Sequence, residues 1–307
     1  MKIGLIDVDG HNFPNLPLMK LSAWHKQQGD EVHWYHPMFT GRCDKVYMSK
    51  VFSFTPDYTE NVVADDIIKC GSGYCIKLIN GKEEYDKGRD NELPAEIEHV
   101  YPDYGLYNDL TIGTEFGFLS RGCPRGCKFC HVAAKEGKRS KKVADLREFW
   151  NGQQNIKLCD PNIFACRESD DLLGQLVDSK AVIDFTQGVD VRLATPEKIE
   201  MLNRMRIKRL HMAWDNPDQD LTEDFKRFSE CYKRKSESGK VVYVLTNFNT
   251  TIEQDLYRIY TLRGLKYDPY IMIYNKEHAD RQHKAIARWV NNRVIWRKCS
   301  RFEDYVV

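Results

Sequence analysis

Three cysteines crowd into the segment Gly117-Phe118-Leu119-Ser120-Arg121-Gly122-Cys123-Pro124-Arg125-Gly126-Cys127-Lys128-Phe129-Cys130. Thiolates are soft ligands that select zinc, copper(I) or iron–sulfur clusters. Gly122, Pro124 and Gly126 interrupt regular structure, so the backbone can wrap a metal and turn its sulfurs inward. A cubane iron–sulfur cluster normally takes four protein cysteines, so a compact set of three leaves one iron open. An open coordination position marks a reactive metal site. The alternative is zinc on Cys123, Cys127, Cys130 and His131, although adjacent Cys130 and His131 are poorly placed for one tetrahedral ion. Spacing alone leaves both chemistries open.

The elements around this loop alternate regularly. Phe116–Leu119, Ile156–Cys159, Val182–Phe185, Arg209–Trp214, Val241–Leu245 and Tyr270–Tyr274 are apolar or β-branched runs that predict strands. Between them the patterning predicts helices over Val143–Trp150, Asp170–Ser179, Pro196–Met205, Leu221–Lys235 and Ile252–Leu262, with a last helix over Ala279–Val290. Six successive strand–helix units with right-handed crossovers curl into an open barrel. In such a barrel chemistry gathers at the carboxyl ends of the strands. The residues at those ends include Asp160, Gln187, Asp190, Arg192, Asp215 and Asn247.

Ahead of this array, Lys2–Asp7 predicts a buried strand, and Leu16, Met19, Leu21, Ala23 and Trp24 a helix. Val32–Tyr35, Val46–Met48 and Ile67–Cys70 predict further strands, an order that reads as a small parallel α/β domain. The charged, proline-bearing stretch from Gly81 to Pro102 reads as its exit.

The cysteine spacing, with aromatic Phe129 just before Cys130, resembles the signature of the radical S-adenosylmethionine (SAM) superfamily, and the flanks of FLSRGCPRGCKFC are similar to its cluster loop. The resemblance implies a 4Fe–4S cluster on Cys123, Cys127 and Cys130 whose free iron chelates the amino and carboxylate groups of SAM. It implies reductive cleavage of SAM to methionine and a 5′-deoxyadenosyl radical, which abstracts hydrogen from an unidentified substrate. A flavodoxin or ferredoxin would be the reductant. Phe129 would place its backbone near the adenine, and Asp160 or Asn162 would stand where the family often has a Gly-Gly-Glu motif, which is absent here. Gln187, Asp190 and Arg192 lie in a segment similar to the QGxDxR of several branches, where Arg192 either meets the SAM carboxylate or makes a salt bridge. Asp215 is placed for the SAM ribose, and Asn247 faces the mouth. The fold implied is a partial (β/α)6 TIM-like barrel with a C-terminal extension over residues 106–307, preceded by a small Rossmann-like domain over 1–105.

That first domain resembles the cobalamin-binding type that precedes many such barrels. Asp9-Gly10-His11-Asn12-Phe13-Pro14 echoes an Asp-x-His-x-x-Gly cobalt-ligand motif, with Pro14 where glycine belongs. The departure, and the compressed length, lead to the expectation that the domain has lost cobalamin. The rival readings are a cobalamin-dependent radical methyltransferase and a non-enzymatic zinc module.

Composition restricts the partners. Across 307 residues, 46 Lys and Arg balance 45 Asp and Glu, so the chain lacks the basic excess of a dedicated nucleic-acid binder. The basic run Lys135–Lys142 keeps an RNA or nucleotide substrate open. No apolar run is long enough to span a bilayer, and the early Asp7 and Asp9 do not suit a signal peptide. A cytoplasmic protein is expected, with ten cysteines kept as thiols rather than a disulfide framework.

Overall fold

The computed structural model describes residues 1–79, 82–234 and 236–305. The chain divides into two compact units, Met1–Lys157 and Leu158–Val307.

The first unit opens with β1 (Lys2–Asp7), α1 (Leu16–Gln27), β2 (Glu31–Trp34), β3 (Cys43–Ser49) and β4 (Ala64–Cys70). These strands form one parallel sheet in the order β2-β1-β3-β4. A continuous apolar strand is what a sheet covered on both faces requires. Ile3 and Leu5 pack with Leu18 and Leu21 of α1, while Ile6 packs on the opposite face with Tyr35, Val46 and Met48. The helix starts where Asn15 caps it, its side chain accepting from the Leu18 amide at 3.3 Å. It ends at Gly29, whose φ of +80° suits a residue without a Cβ. Inside this layer the buried His25 joins Asp30 at 2.6 Å and the Tyr47 hydroxyl at 3.1 Å. A hairpin of β5 (Ile76–Ile79) and β6 (Lys82–Tyr85) follows, then β7 (Thr114–Gly117), β8 (Ser120–Arg121), β9 (Lys141–Lys142) and β10 (Asn155–Leu158).

The helix expected over Val143–Trp150 does not form; only the 3-10 turn Leu146–Glu148 does. Asp145 and Glu148 close that turn as a reciprocal capping box. The backbone beyond it is diverted to tertiary partners. Tyr104 donates its hydroxyl to the Phe149 carbonyl at 2.8 Å, and the Phe149 ring lies so close to Gly117 that any Cβ there would collide with it.

The second unit contains α2 (Ser169–Ser179), β11 (Val182–Phe185), α3 (Pro196–Arg204), β12 (Arg206–Ile207), β13 (Leu210–Ala213), α4 (Thr222–Cys231), β14 (Lys240–Thr246), α5 (Ile252–Gly264), β15 (Asp268–Ile273), α6 (Arg281–Asn291) and α7 (Arg293–Lys298). Thr195, Thr251 and Asp280 cap α3, α5 and α6, each accepting from an amide of the first turn. β11 pairs in parallel with β12, and β13, β14 and β15 form a separate parallel sheet. No closed barrel forms among the described residues. The ladder breaks because β12 is only two residues long. The bridge to β13 is instead made by a loop, where the Val189 amide donates to the His211 carbonyl at 2.9 Å. Met212, Val242, Val244 and Ile271 are buried on one face of the three-stranded sheet, whereas Tyr270 and Met272 on the other face are exposed.

Candidate metal centre

The cysteine loop is closed at its base by a two-residue antiparallel ladder, Ser120 opposite Lys142 and Arg121 opposite Lys141. Above that ladder three main-chain amides hold the loop. The Gly122 amide donates to Glu136 Oε2 at 2.9 Å, the Cys123 amide to the Gly137 carbonyl at 3.2 Å, and the Cys130 amide to the Cys127 carbonyl at 3.0 Å. Gly122 has a φ of +90° and sits against the Arg139 carbonyl with no room for a Cβ, so glycine is required there twice over. His131 follows at once, its Nε2 lying 3.2 Å from Glu83 Oε2. Arg121 anchors the entrance, stacking on Phe118 at 4.2 Å and reaching Glu98 at 3.3 Å.

The donors match an iron–sulfur cluster in kind and setting. Cys123 and Cys127 are half-buried and Cys130 is exposed. None of the cysteines is in a disulfide among the described residues. Nor do three His, Cys, Asp or Glu side chains there gather around a single metal ion. A cubane offers a separate iron to each sulfur, so three thiolates can hold it without converging on one point.

In the second unit the other sequence-derived positions sit at strand ends, and several hold one another. Asp160 and Asn162 are buried just after β10, and Asn162 Nδ2 donates to Asp190 Oδ2 at 3.3 Å. Asp190 caps the turn Val191–Leu193, and Arg192 grips it with two nitrogens, Nε at 2.6 Å and Nη2 at 3.2 Å. The remaining arm, Nη1, donates to Gln219 at 2.7 Å. Gln187 is exposed and lines a cavity on the open face of the three-stranded sheet. Asp215 accepts from the Leu245 amide at 3.2 Å, and burial raises its carboxyl above the ordinary range. Asn247 takes the left-handed conformation, with a φ of +62°, and donates to the Tyr274 carbonyl at 2.8 Å.

One residue of this region was not singled out from sequence. Arg258 of α5 is 1 % exposed and donates to the Trp214 carbonyl at 2.6 Å, the Asp215 carbonyl at 3.1 Å, the Leu245 carbonyl at 2.9 Å and Asp255 at 2.5 Å. It ties the ends of β13 and β14 to one helix and thereby sets where Asp215 stands. The available signal was periodicity: Asp255, Arg258, Ile259 and Leu262 share the buried face of α5, so two charges lie where apolar residues belong.

No family model and no curated protein matches the sequence. Solved structures do match. One is TsrM from Kitasatospora setae, a radical SAM methyltransferase with cobalamin and a [4Fe-4S] cluster bound. It aligns with 89% of this chain and 74% of its own, at a TM-score of 0.61 and 11% identity. A second structure of TsrM, with tryptophan substrate and the SAM analogue aza-SAM, aligns with 88% of this chain and 72% of its own, at 0.63 and 12%. The fold is that of a radical SAM enzyme.

This likeness corrects one expectation. The first domain was expected to have lost cobalamin, yet a structure of this radical SAM fold that matches 89% of the chain is cobalamin-bound. Residues 1–105 are about a third of the sequence, so the match takes in most of them. The expectation rested on Pro14 and on the compressed length of the domain. Aromatic rings gather beside the first sheet. His11 is exposed with its ring 4.2 Å from that of Trp34, and the exposed Phe52 and Phe54 stack at 5.2 Å beside Phe13.

Proposed function

We propose that this chain is a radical SAM enzyme with its 4Fe–4S cluster on Cys123, Cys127 and Cys130. The observation that carries the reading is a braced loop of three soft donors within a chain that has the radical SAM fold. When bound, the cluster supplies an open iron for SAM and the electron that splits it into methionine and a 5′-deoxyadenosyl radical. The chain's own residues hold and orient. Gly122 and Glu136 fix the loop entrance so that the three thiolates keep their places. Phe129 presents its main chain to the adenine, and Asp160 takes the SAM amino group. Arg192, oriented by its fork with Asp190, faces the carboxylate, with Gln187 and Asn247 as neighbouring polar contacts. Asp215, kept in place by Arg258 and the Leu245 amide, accepts from the ribose hydroxyls. The setting is cytoplasmic, with a flavodoxin or ferredoxin as electron source, and the first domain extends over residues 1–105.

The reading is tested by anaerobic reconstitution, metal analysis and chromatography for 5′-deoxyadenosine after reduction with SAM. About four irons per chain are expected for a cubane. In Cys127→Ala both the iron and the 5′-deoxyadenosine should be lost. Zinc without iron, and intact SAM, would refute it.

A second reading, a cobalamin-dependent radical methyltransferase, is favoured by the aromatic rings beside the first sheet and by the cobalamin-bound match. A corrinoid spectrum on addition of hydroxocobalamin, retained through gel filtration, would support it. Absence of corrinoid absorption from the protein fraction after the same treatment would exclude it.

A further inference from the structure

Charge is not spread evenly along this chain. Residues 121–142 carry eight Lys and Arg against a single carboxylate, Glu136, although the whole chain balances 46 basic with 45 acidic residues. The fold gathers that charge around the cysteines. The Cys123 amide donates to the Gly137 carbonyl at 3.2 Å, and Arg121 stands opposite Lys141 in the ladder, so residues 137–141 run alongside the cysteine loop. A Cβ at Gly126 would lie 3.9 Å from Lys138 Cε, which puts the end of the Lys138 side chain beside the neighbour of Cys127. Lys128, Lys138, Arg139 and Lys141 are all exposed, as is Cys130.

None of these four cations is in an ion pair among the described residues. The carboxylates nearby are already engaged: Glu136 by the Gly122 amide, Glu98 by Arg121 and Lys20, and Asp145 by Lys142. The surface also lacks apolar anchors. Among the described residues, no large hydrophobic side chain between Ile112 and Tyr257 is exposed. Single-stranded RNA is held by aromatic faces on which its bases stack, and a lasting protein interface has an apolar centre. A charged surface without either suits a brief encounter, in which complementary charge sets the rate of approach and the register. Electron-transfer encounters are of that small, weak kind.

We propose that this collar of cations is the docking surface for an acidic electron-carrier protein of the flavodoxin or ferredoxin kind. Lys128, Lys138, Arg139 and Lys141 meet carboxylates of the carrier, whose approach the concentrated positive field steers. Docked there, the carrier stands against the exposed Cys130. One electron passes, so the carrier is oxidised by one electron and the cluster reduced by one, and no bond forms between the proteins. Calling the partner an electron donor rests on the radical SAM reading; the docking itself does not.

The test is calorimetric titration of the reconstituted full chain with two acidic carriers, a flavodoxin and a ferredoxin. At least one should bind, and its binding should weaken about tenfold or more between about 0.1 and 1 M NaCl, as the screening length falls from about 10 to 3 Å. Lys128→Glu with Lys138→Glu should weaken binding about tenfold or more, with iron retained as in the parent protein. Lys284→Glu with Arg288→Glu makes the same charge change on exposed residues of α6 and should leave binding unchanged. If the first reversal costs iron, the milder pair Lys138→Gln with Lys141→Gln should still weaken the carrier with iron retained. Stopped-flow oxidation of the reduced carrier should slow in the same variants, whereas reduction of the chain by dithionite should not. No binding of either carrier, or an equal effect of the two reversals, would overturn the proposal. So would binding of transfer RNA alone with the same dependence on Lys128 and Lys138. Failure of the radical SAM reading would show separately, as absent 5′-deoxyadenosine under dithionite with carrier binding intact.

Discussion

Replacing Arg258 with methionine tests the organisation of the second unit most directly. Methionine fits the volume and keeps the apolar stem but removes a guanidinium that serves four main-chain carbonyls and one carboxylate. Both Arg258 and Asp255 are essentially inaccessible to solvent. Breaking a buried ion pair by removing one partner costs about 3–5 kcal/mol, because the remaining charge is left without compensation. Each carbonyl deprived of a donor adds about 1–3 kcal/mol if no water replaces it, though these terms do not sum independently. His283, 3.5 Å from the other Asp255 oxygen, offers partial relief when protonated. The expected loss is therefore about 3–5 kcal/mol in the second unit, a large part of a typical domain stability of about 5–15 kcal/mol.

With two units, a single denaturation midpoint is ambiguous. The measurement should be hydrogen exchange resolved to the β14 amides, alongside urea unfolding. The double variant Arg258→Met with Asp255→Leu should recover much of the loss, since removing both charges abolishes the uncompensated one. A single variant costing less than about 1 kcal/mol, the value of an exposed pair, would refute the account. So would a double variant no more stable than the single.

Two further predictions concern the candidate site. Burial raises the Asp215 carboxyl above its ordinary 3.8, so the folded chain holds that proton more tightly than the unfolded chain. The stability this brings is complete below 3.8 and is lost as pH rises through the folded value. Asp215→Asn removes that dependence, so its stability relative to the parent protein should rise from pH 3 upward and level off; a difference flat with pH would contradict the assignment. Gly122→Ala places a Cβ against the Arg139 carbonyl in a left-handed position and should cost iron retention as well as stability. Gly137→Ala, at a φ of +93° with open space around it, should cost only backbone strain, about 1–3 kcal/mol. Equal iron content in the two variants after reconstitution would show that the close approach at Gly122 does not shape the loop.

Local chemistry made much of this protein legible in one dimension. The strand–helix alternation and the spacing of Cys123, Cys127 and Cys130 are short-range features. Turn residues, periodicity and ligand softness act within a few positions, so a single sequence displays them. The helix missed over Val143–Trp150 shows the limit. Its pattern is helical, but Tyr104 and Gly117 take the Phe149 carbonyl and ring, and nothing local announces partners that lie tens of residues away. Whether the strands close into a barrel was likewise decided in three dimensions, by the shortness of β12 and the bridge from Val189 to His211.

The same division runs through the candidate site. The sequence by itself named the donor atoms and the strand-end residues Asp190, Arg192, Asp215 and Asn247. Only the tertiary structure decided that Arg192 is locked to Asp190, that Arg258 ties Asp215 to β14, and that Lys138 stands beside the cysteine loop. Residue type limits which contacts a side chain can make. Which of them it makes depends on neighbours brought close by burial, where an unpaired charge or carbonyl is too costly to leave without a partner.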